Sequence, residues 1–385
     1  MKKTKIIAIV LCVALFATIF TGCAKKEEDT IKIGMIGPLT GEVALYGTAV
    51  LNAVNLYVEQ YNAAGGLDGK MIKIISYDDK HDATEATNAY NKLATSDEVV
   101  AIIGAVTSTP TIAVAQASLA DKMPLMTPTA THPDVTSFGN NMFRSCFLDP
   151  FQGSTMAKFA KNELGAMTAA VIYHNSDAYS TGLYESFIAT AGEIGLEIVA
   201  TESYAGADTD FKSQHSNIAA KNPDIIFAPD YYNNLYLIMS QGKDVGVTAK
   251  YLGVDGADGI LGIDGVDKTL VEGLYFANHY STQDQSKIVQ DFLTGYKAKY
   301  NEEPSALAAL GYDAAMLMIA AIEKVAATTK IEATTEVFEK IIAELDATDM
   351  DAVTGHITYD ANNNPQKTVA IILVKNGEYT LHGKY

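Results

Sequence analysis

Five short polar clusters hold the residues with chemical capacity, and each one follows a β-rich run. Gly104-Ala-Val-Thr-Ser-Thr-Pro-Thr111 places hydroxyls at 107, 108, 109 and 111 just ahead of a helical stretch. Pro110 fits a first helical turn and Thr109 can cap it. Unpaired N–H groups at such a start, with the Ser108 hydroxyl beside them, suit a small anion such as a carboxylate. The segment reads equally well as a plain capped helix start. Thr127-Pro-Thr-Ala-Thr131 offers hydroxyls and backbone groups within one turn. His174-Asn-Ser-Asp-Ala-Tyr179 brings Tyr179 to the start of a helix, and Ala228-Pro-Asp-Tyr-Tyr-Asn233 does the same for Tyr231. Leu252-Gly-Val-Asp-Gly256 sets Asp255 after a strand, among glycines that let a ligand approach the backbone. Each cluster alone also reads as a turn or cap; their shared position in the pattern gives them weight.

Nucleophilic and metal chemistry do not assemble. Ser108 sits in Val-Thr-Ser-Thr-Pro, and no Gly-x-Ser-x-Gly elbow occurs. The seven histidines (81, 132, 174, 215, 279, 356 and 382) are scattered without metal-ligand spacing. His132 and His174 lie near the polar clusters singly, as surface or hydrogen-bonded histidines do. Gly253-x-x-Gly256-x-x-Gly259 does not match a dinucleotide loop. A secreted hydrolase is the rival class, but no enzyme, metal or cofactor is expected.

The elements that must position these clusters alternate. Strands are expected at Ile31–Ile36, Met71–Tyr77, Val99–Ala105 and Pro124–Thr127, with helices between them ending near Asn62, Thr95 and Asp121. The pattern restarts after Asp149-Pro150, with strands at Ala169–His174, Glu197–Tyr204, Asp224–Pro229, Tyr251–Val254 and Gly273–His279. Three helical stretches follow (Gln283–Tyr300, Ser305–Ala327, Thr335–Leu345), then strand-like Gly355–Tyr359 and Thr368–Lys375. Repeated βαβ buries a parallel sheet between helix layers. Ligands in such sheets bind beyond the carboxyl ends of the strands, where the polar clusters lie.

The N-terminus reads as an export signal. Lys2, Lys3 and Lys5 precede an apolar run from Ile6 to Phe20, too short for a permanent span. Thr21-Gly22-Cys23 resembles a bacterial lipobox, in which the Cys23 sulfur is acylated and the chain is cut before it; a plain signal peptide is the alternative. Residues 1–22 are the expected signal, and 23–30 a short charged tether. Losing 22 residues and three lysines takes the chain from 385 residues and −18 to 363 residues and a charge near −21. A polyanion does not bind nucleic acid by counterion release, and anionic lipid repels it, so membrane attachment is expected through covalent lipid only. Cys12 leaves with the signal and Cys23 is acylated, so Cys146 stands alone and no intramolecular disulfide forms. Trp is absent, whereas the 21 Tyr suit half-wet clefts. After Thr30 no apolar run approaches 18 residues, so no second anchor is expected.

Gly37-Pro-Leu-Thr-Gly41 with Tyr46-Gly47, Asn62-Ala-Ala-Gly-Gly66, Tyr77-Asp-Asp79, Gly104 to Ser108 and Pro128-Thr-Ala-Thr131 resemble type I periplasmic binding proteins. The likeness is to the leucine/isoleucine/valine-binding branch of ABC importers, over nearly the whole mature chain and in motif order. It implies an α/β fold of two doubly wound parallel-sheet lobes joined by three crossovers. Lobe 1 would take 31–150 plus about 280–365, and lobe 2 would take 151–279 plus about 366–385. By the resemblance, Ser108, Thr129 and Thr131 hold the amino acid's carboxylate and part of its ammonium. Tyr46 lies near its side chain, Tyr179 and Tyr231 close over it, and Asp255 pairs with the ammonium. The family often has Glu there; the shorter Asp either draws the ligand deeper or leaves room for a water. His81 and Thr107 stand where other members carry disulfide cysteines.

The resemblance therefore implies an exported, lipid-anchored monomer that binds a free apolar, branched-chain amino acid and delivers it to membrane permease subunits. Aromatic or small amino acids, or amides and urea, are alternative ligands; an acid at 255 argues against an amide, which has no ammonium. A sensor that presents its bound state to a separate receptor would use the same site.

Overall fold

The computed structural model describes residues 30–206 and 208–385. The expected signal, the Cys23 acylation site and tether residues 24–29 lie outside the described residues.

The chain builds two sheets. In the first, β1 (Ile31–Gly37), β2 (Ile72–Asp78), β3 (Ala101–Ile103), β4 (Leu125–Thr127) and β5 (Met142–Arg144) lie in the order β2-β1-β3-β4-β5, all parallel. The central strands are mostly apolar and buried because helices cover both faces. Helices α1 (Ala44–Ala63), α2 (Ala83–Lys92) and α3 (Ser108–Ala117) connect them. Asp82 caps α2 by accepting from the N–H groups of Thr84 and Glu85.

The second sheet begins after α4 (Asp149–Asn162). It contains β6 (Thr168–His174), β7 (Glu197–Tyr204), β8 (Ile225–Phe227), β9 (Lys250–Gly253) and β10 (Tyr275–Asn278), with α5 (Ala178–Ile194), α6 (Lys212–Ala219) and α7 (Tyr232–Asp244) between them. After β10 the chain returns to the first lobe as α8 (Lys287–Tyr300), α9 (Ala306–Ala326) and α10 (Thr335–Asp346), then forms the hairpin β11 (Asp349–Ala352) and β12 (Gly355–Thr358). It ends in β13 (Ala370–Lys375) and β14 (Glu378–Lys384), which complete the order β14-β13-β10-β9-β8-β6-β7. The main chain thus passes between the sheets three times: between β5 and α4, after β10, and before β13.

Three features differ from the sequence expectation. The stretches at β5 and α4 are ordered elements, and β14 is a strand. The second sheet is not wholly parallel, because β13 and β14 join its β10 edge antiparallel. The turn between them is Asn376-Gly377, both residues at positive φ (55° and 70°), which is the two-residue hairpin geometry that matches strand twist. Finally, α9 is long and apolar enough to cross a membrane by length and composition, yet 78% of that stretch is buried within the lobe. It packs on α1 so closely that a Cβ on Gly311 would stand 3.0 Å from the Val50 backbone.

Candidate functional site

The polar clusters converge where the carboxyl ends of the two sheets face one another. Tyr46, Ser108, Thr129, Tyr179, Tyr231 and Asp255 line one cavity together with Val106, Thr107, Gly256 and Leu307. Thr131 does not reach its wall. That residue is fully buried beneath the cavity, where its carbonyl accepts from the Asp149 N–H at 3.0 Å. A larger surface pocket of about 470 Å³ opens at the other end of the second sheet, beside Tyr251, Leu274 and Val374, and takes in none of these residues.

On the first-lobe side, the β3–α3 connection is tightly fixed. Gly104 has φ +128°, and a Cβ there would lie 2.2 Å from the Ile36 carbonyl oxygen, so only glycine lets this loop cross β1. Helix α3 begins at Ser108, two residues earlier than the Pro110 start expected from sequence, with Thr107 at the cap position. Thr109 is therefore not the cap. Its hydroxyl instead donates across the cleft to Asp177 Oδ2 at 3.1 Å and accepts from the Ala178 N–H at 3.3 Å. Ser108 Oγ accepts from the His132 N–H at 3.3 Å, and the Thr129 hydroxyl donates to the Val106 carbonyl, which fastens the two first-lobe loops together. Arg144, fully buried, braces the same loop by donating to the carbonyls of Ala130 at 2.8 Å and His132 at 3.0 Å. His81 Nδ1 and Thr107 Oγ1 are 2.8 Å apart, so a hydrogen bond joins the positions where the resemblance has a disulfide.

The second lobe supplies a tyrosine wall. Tyr179 and Tyr231 stack with centroids 4.8 Å apart, and Tyr46 meets Tyr231 edge-on at 5.8 Å. Burial pushes all three phenols well above their ordinary range, so each stays a donor at neutral pH. The Tyr231 hydroxyl has no hydrogen-bond partner among the described residues. Tyr46 donates to the Gly256 carbonyl and accepts from the Tyr232 N–H at 3.2 Å, while the Tyr232 hydroxyl donates to the Glu42 carbonyl at 2.8 Å. These bonds span the cleft, and the lobes are in contact. The enclosed space is about 20 Å³, close to what one water needs.

Asp255 is the charged centre. Oδ1 accepts from the Tyr179 hydroxyl at 2.5 Å, Gln152 Nε2 at 3.0 Å and the Gly256 N–H at 3.1 Å; Oδ2 lies 2.9 Å from His279 Nε2. A Cβ on Gly256 would stand 2.8 Å from both the Asp230 carbonyl and the Tyr179 hydroxyl, so this turn needs glycine. Burial lowers the His279 pKa, with Asp255 pulling the other way. Burial also pushes the neighbouring Asp149 carboxyl well up.

Gln152 and His279 were missed from the sequence. Asp149-Pro150 is a helix start, with proline in the first turn, and Gln152 three residues after Asp149 shares its helix face. His279 follows directly on β10, and that position at a strand's carboxyl end was the available signal.

A two-lobed α/β chain with three crossings and a closing polar cleft is the architecture of type I solute-binding proteins. The chain belongs to the periplasmic binding protein family, whose profile matches residues 30–378. It is 28% identical over 356 residues to a leucine-, isoleucine-, valine-, threonine- and alanine-binding protein from Pseudomonas aeruginosa, covering 92% of this chain and 90% of that one. A leucine-binding protein from Thermotoga maritima superposes with a TM-score of 0.84 at 33% identity, over 92% of this chain and 98% of that one. The isoleucine complex of a branched-chain amino acid transporter substrate-binding protein from Streptococcus pneumoniae gives 0.84 at 32% identity with the same coverage.

Proposed function

We propose that this protein is the extracytoplasmic solute-binding component of an ABC importer, taking a free branched-chain amino acid in the interlobe cleft and delivering it to a membrane permease. One observation carries the reading: a buried second-lobe carboxylate, Asp255, faces the hydroxyl-rich start of α3 across a single cavity. Such a pair is matched to the two charged ends of a zwitterion. Ser108 and Thr129, with the N–H groups opening α3, would hold the ligand carboxylate, and Thr131 would support them from beneath. Asp255 would take the ammonium. Val106, Leu307 and Tyr46 would meet the side chain, where each buried CH₂ contributes about 0.8 kcal/mol. Tyr179 and Tyr231 would close over it.

The names of the relatives agree with this ligand class. Lobe 1 then comprises 31–150 plus about 280–365, and lobe 2 comprises 151–279 plus about 366–385. Cys23 carries the lipid, and the chain acts as a monomer at the outer face of the membrane, with no catalytic step of its own. A cavity the size of one water admits nothing larger until the lobes part, so binding requires an open–closed equilibrium that the ligand shifts. Thermal-shift screening against the twenty amino acids, followed by calorimetry, tests the reading. Leu, Ile and Val should stabilise the protein most. Indifference to all of them, or a response to amides alone, would refute it.

A further inference from the structure

Asp255 is fastened to two of the three crossings. Gln152 lies one turn into α4, immediately after the first crossing. Its Nε2–H groups reach Asp255 Oδ1 at 3.0 Å and Asp149 Oδ1 at 3.1 Å, and its Oε1 accepts from the Asp255 N–H at 3.3 Å. His279 opens the second crossing, with Nε2 2.9 Å from Asp255 Oδ2 and its ring stacked on Phe147 of the first crossing at 3.8 Å. Both residues are buried.

The protonation of His279 decides what charge a ligand meets. Its Nδ1 has no hydrogen-bond partner among the described residues, so a single ring proton belongs on Nε2, facing Asp255. The titratable groups that face this ring are Asp255 from the second lobe and Lys367 from the third crossing; burial opposes a positive charge on the ring, Asp255 favours it and Lys367 opposes it. An imidazolium would cancel the carboxylate and leave a buried N–H unsatisfied. A neutral imidazole gives Asp255 a hydrogen bond and leaves its charge intact.

We propose that Gln152 and His279 are positioning residues for ligand recognition, and that His279 acts as a neutral donor that presents Asp255 to the ligand's cationic group with its charge uncancelled. The inference rests on the reading of Asp255 as the ammonium partner. It also explains how binding reaches the hinge: the ligand's cation pulls on a carboxylate tied to two of the three crossings about which the lobes turn.

Calorimetry of the purified protein with L-leucine, at about pH 7.5 and about pH 5 to bracket the ordinary histidine range, tests this. Wild type should lose affinity on acidification, because an imidazolium neutralises the site, and the burial that lowers the His279 pKa puts that loss at the acid end of the range. His279→Asn keeps an amide donor but cannot take up a proton; it should bind near wild type at the higher pH and change little with acid. His279→Phe keeps the stack and Gln152→Leu keeps the volume, yet each loses a hydrogen bond to a charged group, and each should bind about tenfold more weakly at the higher pH. Imidazole ¹⁵N shifts of the wild-type leucine complex, which depend on no variant, should report the neutral Nε2–H tautomer. An imidazolium there, wild-type affinity in His279→Phe, or acid loss retained in His279→Asn would overturn the inference, the last result assigning it to another group such as His81. A wild type that binds leucine while the variants behave identically sinks this inference alone; a wild type that binds no amino acid sinks the parent reading as well.

Discussion

Asp255 sits in a glycine-flanked turn after β9, and its carboxylate is held by Gln152 and His279, residues distant in sequence that meet it only when the sheets pack. For Asp255→Ala, calorimetry should show amino-acid affinity lower by orders of magnitude, as removing one side of a buried ionic pair costs roughly 3–5 kcal/mol; unchanged affinity would refute the assignment. Asp79 offers a separate test of buried charge. Its carboxyl accepts from the His81 N–H at 2.9 Å through Oδ1, leaves Oδ2 without a partner among the described residues, and is raised by burial to about 7. With rising pH the unfolded chain ionises first, so the folded state loses stability from about pH 4 to about pH 7, and the loss persists above. Asp79→Asn should therefore match wild type near pH 4 in urea melts and exceed it by a few kcal/mol at pH 8 (about 1.4 kcal/mol per pKa unit). A gap that narrows with rising pH would contradict this.

At the scale of elements, the strands of the βαβ repeats were readable because they are near-continuous apolar runs. The short β5 was not, since no α-helix separates it from β4 to announce another βαβ unit. Strand β14 holds only half-buried and exposed residues at a sheet edge, without regular alternation, and only the Asn376-Gly377 pair announced its hairpin. Placing a Cβ at Gly377, with φ +70° and the Lys268 side chain 2.9 Å from the site, forces a left-handed conformation that costs about 1–2 kcal/mol. Gly377→Ala should lower thermal stability accordingly while leaving leucine affinity nearly intact, because the turn lies far from the cleft. The start of α3 shows the opposite limit of sequence reading. Thr109 has the side chain of a cap, but Asp177 of the other lobe competes successfully for its hydroxyl.

For the whole molecule, that competition matters because polar contacts from both lobes bridge the cleft beside the aromatic pairs of Tyr46 with Tyr231 and Tyr232. Thr109→Val removes two of these polar contacts, to Asp177 and to the Ala178 N–H, without touching the cavity lining. It should weaken leucine binding several-fold or more, at about 0.5–1.5 kcal/mol for each net hydrogen bond, and small-angle scattering should show a more expanded average particle. An unchanged scattering profile and affinity would mean that the bridge contributes nothing to closure. Two lobes were expected from chain length and the restart of the pattern near residue 150, whereas the closed geometry depends on contacts such as Tyr232 with Glu42 that no local pattern encodes.

Cys146 is completely enclosed, its thiol donates to the Ala130 carbonyl at 3.3 Å, and burial pushes it up to about 12. Alkylating reagents need an accessible thiolate, so the native fold leaves them nothing to attack at this position. In a soluble form that begins after Cys23, one new cysteine engineered at the cleft rim would then take a fluorophore at a single address, turning the opening and shutting of the molecule into an optical signal.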